Sequence, residues 1–590
     1  NQKYYIPSNV IISETVYNDL EMFCGLNGNE EISIFNSINN TITTSGKIHL
    51  QYKLFNPSND LQYLNTQNLK NIFFIKYDVF TEGIIQRLKL INNYEDDVAW
   101  IWNNQLESED FKVLNSLVYF ENKYLKSLNN NSIFLNIIHI YTIYCSPTIG
   151  IISPLISAIM PYIIIKYYCK LPINILDYLK LFVKMFMGMG DGIMSLINNN
   201  RFTKYFKYVS GLFTATFYVY SIYNSIKTAI NTNNVIKILH KRLNGIYKYI
   251  RNGLHVYKIT MFLFDTEEYL SLTNHIDELI SLKDKLSIYD PSINNDTLGF
   301  NKGIILSNIK YIIKIKDKIT PLISYIGLVD YHINNYTLYN KGFCISEYTN
   351  PPINGISKAS IKFNSIWHPS FDKDKYIKND AVINHNYLIT GPNASGKSTF
   401  IKSVAISVIL SQTIGLCNAD RYIISPFKLI NTYINIPDCK GKESLFQAEM
   451  NRCIYYLENI KKLDGRNEYA FNIMDEVFSG TNPLEGLSGA YAYIHELCKY
   501  KNNINLITTH YDYLSNLEYD NDNIKNYHFQ IINDNNDNND NNNDSKIHFT
   551  YKITSGKSEK KIALELLNCL CFNNDMKNKS IEIFDKIVKL

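Results

Sequence analysis

The sequence predicts a long α-helical region followed by an α/β domain built on a mostly parallel sheet. Three observations carry that expectation. Residues 10 to 130 show the spacing of apolar positions expected of helices. Residues 386 to 413 read as a short apolar strand, a glycine-bearing turn and an almost uncharged helix. Two more apolar runs, at 469–474 and 504–507, are strand-like and lead into polar residues. Strands alternating with helical stretches point to a sheet covered on both faces.

The turn comes first because its chemistry is specific. Gly391, Pro392, Asn393, Ala394, Ser395, Gly396, Lys397 and Ser398 fit G-x-x-x-x-G-K-[ST], and Thr399 follows. Glycines let the backbone curl so that several N–H groups converge on phosphate oxygens. Lys397 can reach the β- and γ-phosphates, and the Ser398 hydroxyl can ligate Mg²⁺. The next helix adds the positive end of its dipole. Before the loop, Asn386 to Ile389 is of strand type. After it, Phe400, Val404 and Val408 share one helical face, with Ile401, Ala405 and Ile409 beside them. Past the loop only Lys402 is charged, so this helix is expected to be buried on most sides. A glycine turn with an incidental Lys would not explain these flanks.

A nucleoside triphosphatase also needs a metal-holding acid and a group that positions water. Tyr469 to Glu476 is an apolar strand ending in Asp475 and Glu476. Asp475 is the candidate Mg²⁺ holder, and Glu476 the general base or water orienter. The alternative is two acids in a surface turn. The run at 504–507 leads into Thr508, Thr509 and His510. A His there can hydrogen-bond a γ-phosphate or the attacking water; alone, it would more often be a packed or surface residue. Glu449 lies between loop and acids, and Phe478 to Gly486 follows them with glycines and hydroxyls suited to a second anion-binding nest.

The ordered set "LITGPNASGKST", "SLFQAEMNR", "NIMDEVFSGTNPLEG" and "LITTHYDYLSNL" closely resembles the ATPase domain of the MutS family of DNA mismatch-repair proteins. "IWHPSF" and "YIKNDAVI" resemble the family's entry segment, where an aromatic stacks on adenine; Tyr376 stands at that place. "YHFQII" and "KIHFTYKITSGKSEKKIALELL" resemble its final hairpin and helix–turn–helix dimer contact. The similarity spans about 355 to 585. Ser479, Gly480, Thr481 and Asn482 match a segment that crosses the family's dimer to the partner's ATP. Ser479 stands where the commonest form has Arg, and Asn482 where it has Ser. "ISETVYNDLEMFCG" and residues 317 to 347 resemble the start and the return of the family's core lever.

The resemblance implies an α-helical lever region followed by an α/β P-loop ATPase domain, ABC-like with a mostly parallel sheet. It covers the lever and ATPase domains, without the N-terminal mismatch-reading domains. The expected division is 1–130 lever, 131–226 apolar insertion, 227–350 lever return, 351–565 ATPase domain and 566–590 dimer contact. ATP and Mg²⁺ are the implied cofactors. DNA, mismatched or branched, and a second MutS-like subunit are the implied partners, the pair most simply a homodimer.

Composition restrains this reading. The formal net charge is only +4, so global electrostatics do not announce nucleic acid. Ten cysteines are scattered without zinc spacing, and only Cys569 and Cys571 lie close together. A reduced, intracellular compartment is expected. Residues 127 to 165 contain no Asp, Glu, Lys or Arg, and 208 to 226 are likewise uncharged. The first run exceeds the roughly 20 residues that cross a bilayer. Pro147, Pro154 and Pro161 within it suggest a broken or re-entrant hairpin. Lys227 to Lys258 then holds seven Lys/Arg and no acid. That stretch suits a membrane's cytoplasmic face, DNA phosphates or a solvated helix face. Membrane association through 132–165 and 208–226 and a buried insertion both stay open. Asn533 to Ser545 is low-complexity and is expected to be a disordered hairpin tip.

The expected activity is ATP hydrolysis by a dimer acting in DNA mismatch repair or on branched DNA. The alternative is a membrane-associated ATPase of the same build whose partner is not mismatched DNA.

Overall fold

A computed structural model of the chain describes residues 11–25, 28–103, 117–120, 122–187, 200–290, 302–349, 359–371, 376–434, 436, 445–463, 468–533, 547–558, 579 and 582–583. The Asn-rich stretch from 534, Cys569, Cys571 and nearly all of the 566–590 dimer contact lie outside the described residues.

In chain order the main helices of the first part are α1 (Glu14–Asp19), α2 (Thr44–Phe55), α3 (Leu61–Lys76), α4 (Asp78–Asn92), α5 (Glu95–Asn103), α6 (Ser132–Ile140), α7 (Ser146–Ile163), α8 (Ile175–Met187), α9 (Asn200–Thr260), α10 (Ile276–Leu286), α11 (Lys302–Ile315) and α12 (Thr320–Asn340). Strands follow: β1 (Cys344–Tyr348), β2 (Ile361–Ile366), β3 (Asn379–Ile383) and β4 (Asn386–Thr390). Helix α13 (Lys397–Thr413) leads to β5 (Leu416–Cys417), β6 (Arg421–Ile424) and β7 (Leu429–Tyr433). Then come α14 (Leu445–Leu463), β8 (Ala470–Asp475), α15 (Pro483–Leu497), β9 (Asn503–Thr509), β10 (Ile524–Asn533) and β11 (Ile547–Ser555). Contacts divide the chain into one unit of 1–86 with 327–590 and another of 87–326.

The first unit holds two sheets. Six strands run in the order β11-β10-β4-β9-β8-β7. All neighbours are parallel except the β10–β11 hairpin. Every residue of β4 and β9 is buried, which is why these strands read as unbroken runs and not as alternation. Register is reinforced by a ladder of buried amides. Asn431 donates to Asn472 at 2.8 Å, Asn472 to Asn505 at 2.7 Å and Asn505 to Asn386 at 2.8 Å, crossing β7, β8, β9 and β4. A one-residue slip would leave these amides unpaired inside the sheet. The second sheet is mixed, in the order β3-β2-β6-β1-β5.

Helix α13 is the core of this unit. Its residues from Phe400 to Thr413 are buried, with the exception of Lys402. Its carbonyl end is closed by side chains from earlier helices. Asn71 Nδ2 donates to the Ile414 carbonyl at 3.0 Å, and Gln67 Nε2 to that of Thr413 at 3.4 Å. These bonds satisfy acceptors that a helix end leaves open. The N-terminal segment also joins the sheet edge: Ile12 bridges to Ile430 in parallel. Asp19 accepts from Thr432 Oγ1 at 2.6 Å and faces Arg452 Nη1 at 3.4 Å. Burial holds the Asp19 carboxyl above its ordinary range, while Thr432 and Arg452 oppose that shift. On α12, fully buried Asp330 accepts from the Thr43 N–H and hydroxyl, each at 2.7 Å, fixing the start of α2.

Among its described residues, the second unit holds helices joined by turns and loops, and no strand. Helix α9 runs for 61 residues, about 90 Å at 1.5 Å per residue. Asp97 pairs with Arg242 at 2.6 Å across α5 and α9. The stretch Lys227 to Lys258 lies within α9.

The prolines do not break the apolar run as their chemistry suggests. Pro154 and Pro161 lie inside α7, and Pro147 sits in its first turn. π-helical turns at Tyr141–Cys145 and Ile164–Tyr168 flank α7, so the path is helical from Ser132 to Tyr168. Such wide turns are a known way to accommodate a helix irregularity. Pro154 has no N–H for the Gly150 carbonyl four residues earlier. That carbonyl instead accepts from the Tyr218 hydroxyl of α9 and from Ser153 Oγ at 3.3 Å.

Candidate functional site

Three adjacent parallel strands bring the sequence-predicted residues to one end of the six-stranded sheet. Strand β4 runs into the loop 391–396, β8 ends at Asp475, and β9, between them, leads to His510. Carboxyl ends of parallel strands are where ligands bind in open α/β sheets.

The loop turns sharply into α13. Gly396, at φ 96°, occupies the left-handed region immediately before Lys397. A Cβ there would also come within 3.1 Å of the Tyr551 ring, so both backbone and space favour glycine. Ala394 is left-handed as well, at φ 64°. Lys397 is only 4% exposed, and its Nζ donates to the carbonyls of Gly391 and Pro392, each at 2.8 Å. Burial lowers its pKa, and the carboxylates of Glu476 and Asp475 partly restore it. The Ser395 hydroxyl is buried without a hydrogen-bond partner. Ser398 and Thr399 are half-buried at the start of α13, while Asn393 is exposed.

Asp475 accepts from the Thr508 hydroxyl of the neighbouring strand. Glu476 has φ 54°, a strained conformation for a non-glycine residue, and its N–H donates to the Thr508 carbonyl at 3.1 Å. His510 Nε2 lies 2.6 Å from Glu476 Oε1. The strained turn thus aims the acid toward the loop, and His510 fixes one of its oxygens.

Loop, Glu476 and an aromatic wall enclose a cavity of about 470 Å³. Tyr376 stacks on Trp367 at 5.3 Å and 17°, and both line it with Phe371, Phe529 and Tyr551. His368 also lines it, and burial, helped by Lys402, pushes its pKa down to about 4.

Ser479 and Gly480 are exposed, and Thr481 half-buried, in the turn before α15. Asn482 caps that helix, its Oδ1 accepting from the Leu484 N–H at 3.0 Å. Glu449 of α14 is buried beneath this turn with Oε2 unpartnered; burial raises its pKa, opposed by Tyr433 and the Gly480 amide. A Cβ on Gly480 would come within 2.7 Å of Leu445.

Sequence reading missed Trp367, His368, Thr508, Phe529 and Tyr551. Trp367 and His368 stood in a quoted segment, and their aromatic character was the available signal. Phe529 and Tyr551 also stood in quoted segments, those of the final hairpin, but they reach the cavity only through the tertiary placement of β10 and β11.

Residues 387–587 match a family model described as MutS domain V. The DNA mismatch repair protein MutS of Persephonella marina is 28% identical over 317 residues, 52% of this chain and 33% of that protein. The protein of the same name from Finegoldia magna is 34% identical over 229 residues, 38% of this chain and 25% of that protein. Human MutS protein homolog 4 is 30% identical over 224 residues, 37% and 22% of the two chains. The chain thus spans about a third or less of the length of these relatives. What the chain shares with the MutS family is its C-terminal part, with MutS domain V matched at residues 387–587.

Proposed function

We propose that the chain is an ATP hydrolase of MutS type that works as a dimer in DNA mismatch repair or on branched DNA. One observation carries the reading. The buried Lys397 ammonium is folded onto its own loop, at the strand end where Asp475 and Glu476 also arrive. The residues fit ATP and Mg²⁺. Ser395 Oγ is an orphaned buried polar atom, Lys397 holds bonds that a phosphate can replace, and the cavity falls within the usual ligand size range.

ATP with Mg²⁺ would supply the transferable phosphoryl group and neutralise its charge. Lys397 and the backbone N–H groups from Asn393 to Thr399 would bind phosphate oxygens. Ser398 and Asp475 hold the cation, with Thr508 orienting Asp475. Glu476 orients or deprotonates the attacking water, and His510 keeps the Glu476 carboxylate in place while sensing the γ-phosphate. Tyr376, backed by Trp367, offers a ring for adenine. The exposed turn Ser479, Gly480, Thr481 and Asn482 completes the partner's site. Closure of the dimer then moves the helical region, which acts as the lever within an ABC-like architecture. DNA and a second MutS-like subunit are the partners, in an intracellular compartment. The membrane-associated alternative without mismatched DNA takes no support from the relatives.

The test is ATP turnover at stated salt, alone and with homoduplex, mismatched and branched DNA. Mismatched or branched DNA should change the rate more than homoduplex does, and Lys397→Ala should reduce it at least a thousandfold. Equal rates with every DNA would overturn the DNA reading. Unchanged turnover in the Ala variant would overturn the site.

A further inference from the structure

The proposed function leaves the α7–α9 hairpin unused. Its polarity is inverted relative to a water-soluble helix pair. Hydroxyls face the partner helix: Ser146 Oγ meets Ser225 Oγ at 3.0 Å, and the Tyr218 hydroxyl donates to the Gly150 carbonyl. Apolar side chains face outward. Ile149 is 53% exposed, Ile156 52%, Phe213 68% and Phe217 64%. Two further hydroxyls bond their own helix, Thr148 to the Tyr144 carbonyl and Thr216 to that of Phe213.

The contacts also set a register. Ser146 with Ser225 and Gly150 with Tyr218 place 146–165 antiparallel to 208–226. Each is free of Asp, Glu, Lys and Arg, over 20 and 19 residues respectively. Both zones are therefore about 30 Å long at the same height, the hydrocarbon thickness of a bilayer. Cations with tyrosines mark both ends. Lys166 Nζ bonds the Tyr162 hydroxyl at 3.0 Å and lies 5.6 Å from the Tyr167 ring centroid, and Lys170 follows. At the other end Lys227 lies 5.9 Å from the Tyr223 ring centroid. Tyrosine and lysine at this spacing are the marks of a membrane–water interface. The carbonyl freed by Pro154 is satisfied from the neighbouring helix, as backbone in hydrocarbon requires. Among the described residues, the helical stretch Ser132–Ser153, which overlaps the start of α7, is long and apolar enough to cross a membrane.

We propose that α7 and the first part of α9 form a hairpin inserted in the hydrocarbon of a lipid bilayer, held at both ends by lysine–tyrosine contacts with the headgroups. A protein partner would be met by a polar rim around an apolar centre. Here Ile149, Ile156, Phe213 and Phe217 are exposed apolar side chains on both helices, which lipid fits and a polar rim does not. The proposal is independent of the nucleotide reading, and its test uses no nucleotide.

The full chain, freed of detergent in the presence of phosphatidylcholine–phosphatidylserine vesicles, should float with them and stay membrane-bound in alkaline carbonate. The triple variant Ile156→Asp, Phe213→Asp, Phe217→Asp changes only exposed side chains. It should keep the helical circular dichroism and float at least tenfold less. Flotation of the unaltered chain decides alone if the variant loses helix. A chain that stays in the bottom fraction, or that carbonate releases, overturns the proposal. So does a stable lipid-free dimer that the three substitutions dissociate, since a second copy would then cover this face.

Discussion

Helices α13 and α7 are nearly the same object in sequence and opposite objects in structure. They have 17 and 18 residues, few or no charges, and serines and threonines among aliphatic side chains. Both satisfy hydroxyls on their own backbone: Ser403 on Thr399 at 2.7 Å in α13, Thr148 on Tyr144 at 2.8 Å in α7. Sheets and earlier helices surround α13, leaving Val404, Ala405 and Ile406 with no exposed surface. Helix α7 leaves Ile149, Ile152 and Ile156 about half exposed. An uncharged helix therefore states that it needs an apolar surrounding, but not which one.

The largest expected effect breaks the pair apart. Ile406→Asp places an unpaired carboxylate in a fully buried site and should cost at least about 4 kcal/mol, enough to unfold the first unit. Ile156→Asp, half exposed, should shift lipid-free stability by about 0.5 kcal/mol or less. Chemical unfolding followed by tryptophan fluorescence and circular dichroism measures both. Equal losses would mean that α7 is packed in a core after all.

Legibility in the sequence follows the same line. The helix read from Lys397 to Thr413 has those bounds in the structure, because a glycine turn starts it and a strand pattern follows. The strands leading to Asp475 and His510 were readable as apolar runs for the same local reason. The amide ladder from Asn431 to Asn386 was not. Asparagine is abundant along the chain, and only the parallel register shows which four meet. The helix-breaking expectation for Pro154 failed because its remedy, Tyr218, lies 64 residues away in sequence and reaches it through tertiary structure. Thr508 was named only as part of a strand end; its bond to Asp475 depends on strand order.

A pH change should separate the two regions next. His368 belongs to the first unit, whereas 146–165 has no acid, base or histidine. Burial lowers the folded His368 pKa to about 4 from an ordinary 6.5. The unfolded chain therefore binds the extra proton between those values. The stabilisation is fully present above pH 6.5 and is lost as the pH falls toward 4. Between pH 7 and pH 5 the first unit should lose about 1–2 kcal/mol from this residue, allowing for its partial exposure. His368→Gln should flatten that part of the profile. An unaltered slope would place the acid sensitivity elsewhere.

The smallest effect is the most selective for what surrounds α7. Tyr218→Phe removes the hydroxyl that serves the Gly150 carbonyl, leaving Ser153 Oγ at 3.3 Å as its partner. In lipid-free protein, water can reach a half-exposed helix, so the loss should be below about 1 kcal/mol. In hydrocarbon no water replaces the bond, and the cost should rise toward about 1–2 kcal/mol. Hydrogen exchange of the amides around Gly150, compared in detergent-free buffer and in vesicles, reads the difference directly. A larger penalty in vesicles than in buffer identifies lipid as what α7 has in place of the sheets around α13. A penalty that is equal in both media would mean that protein already shields the bond and that the two helices share one kind of surrounding.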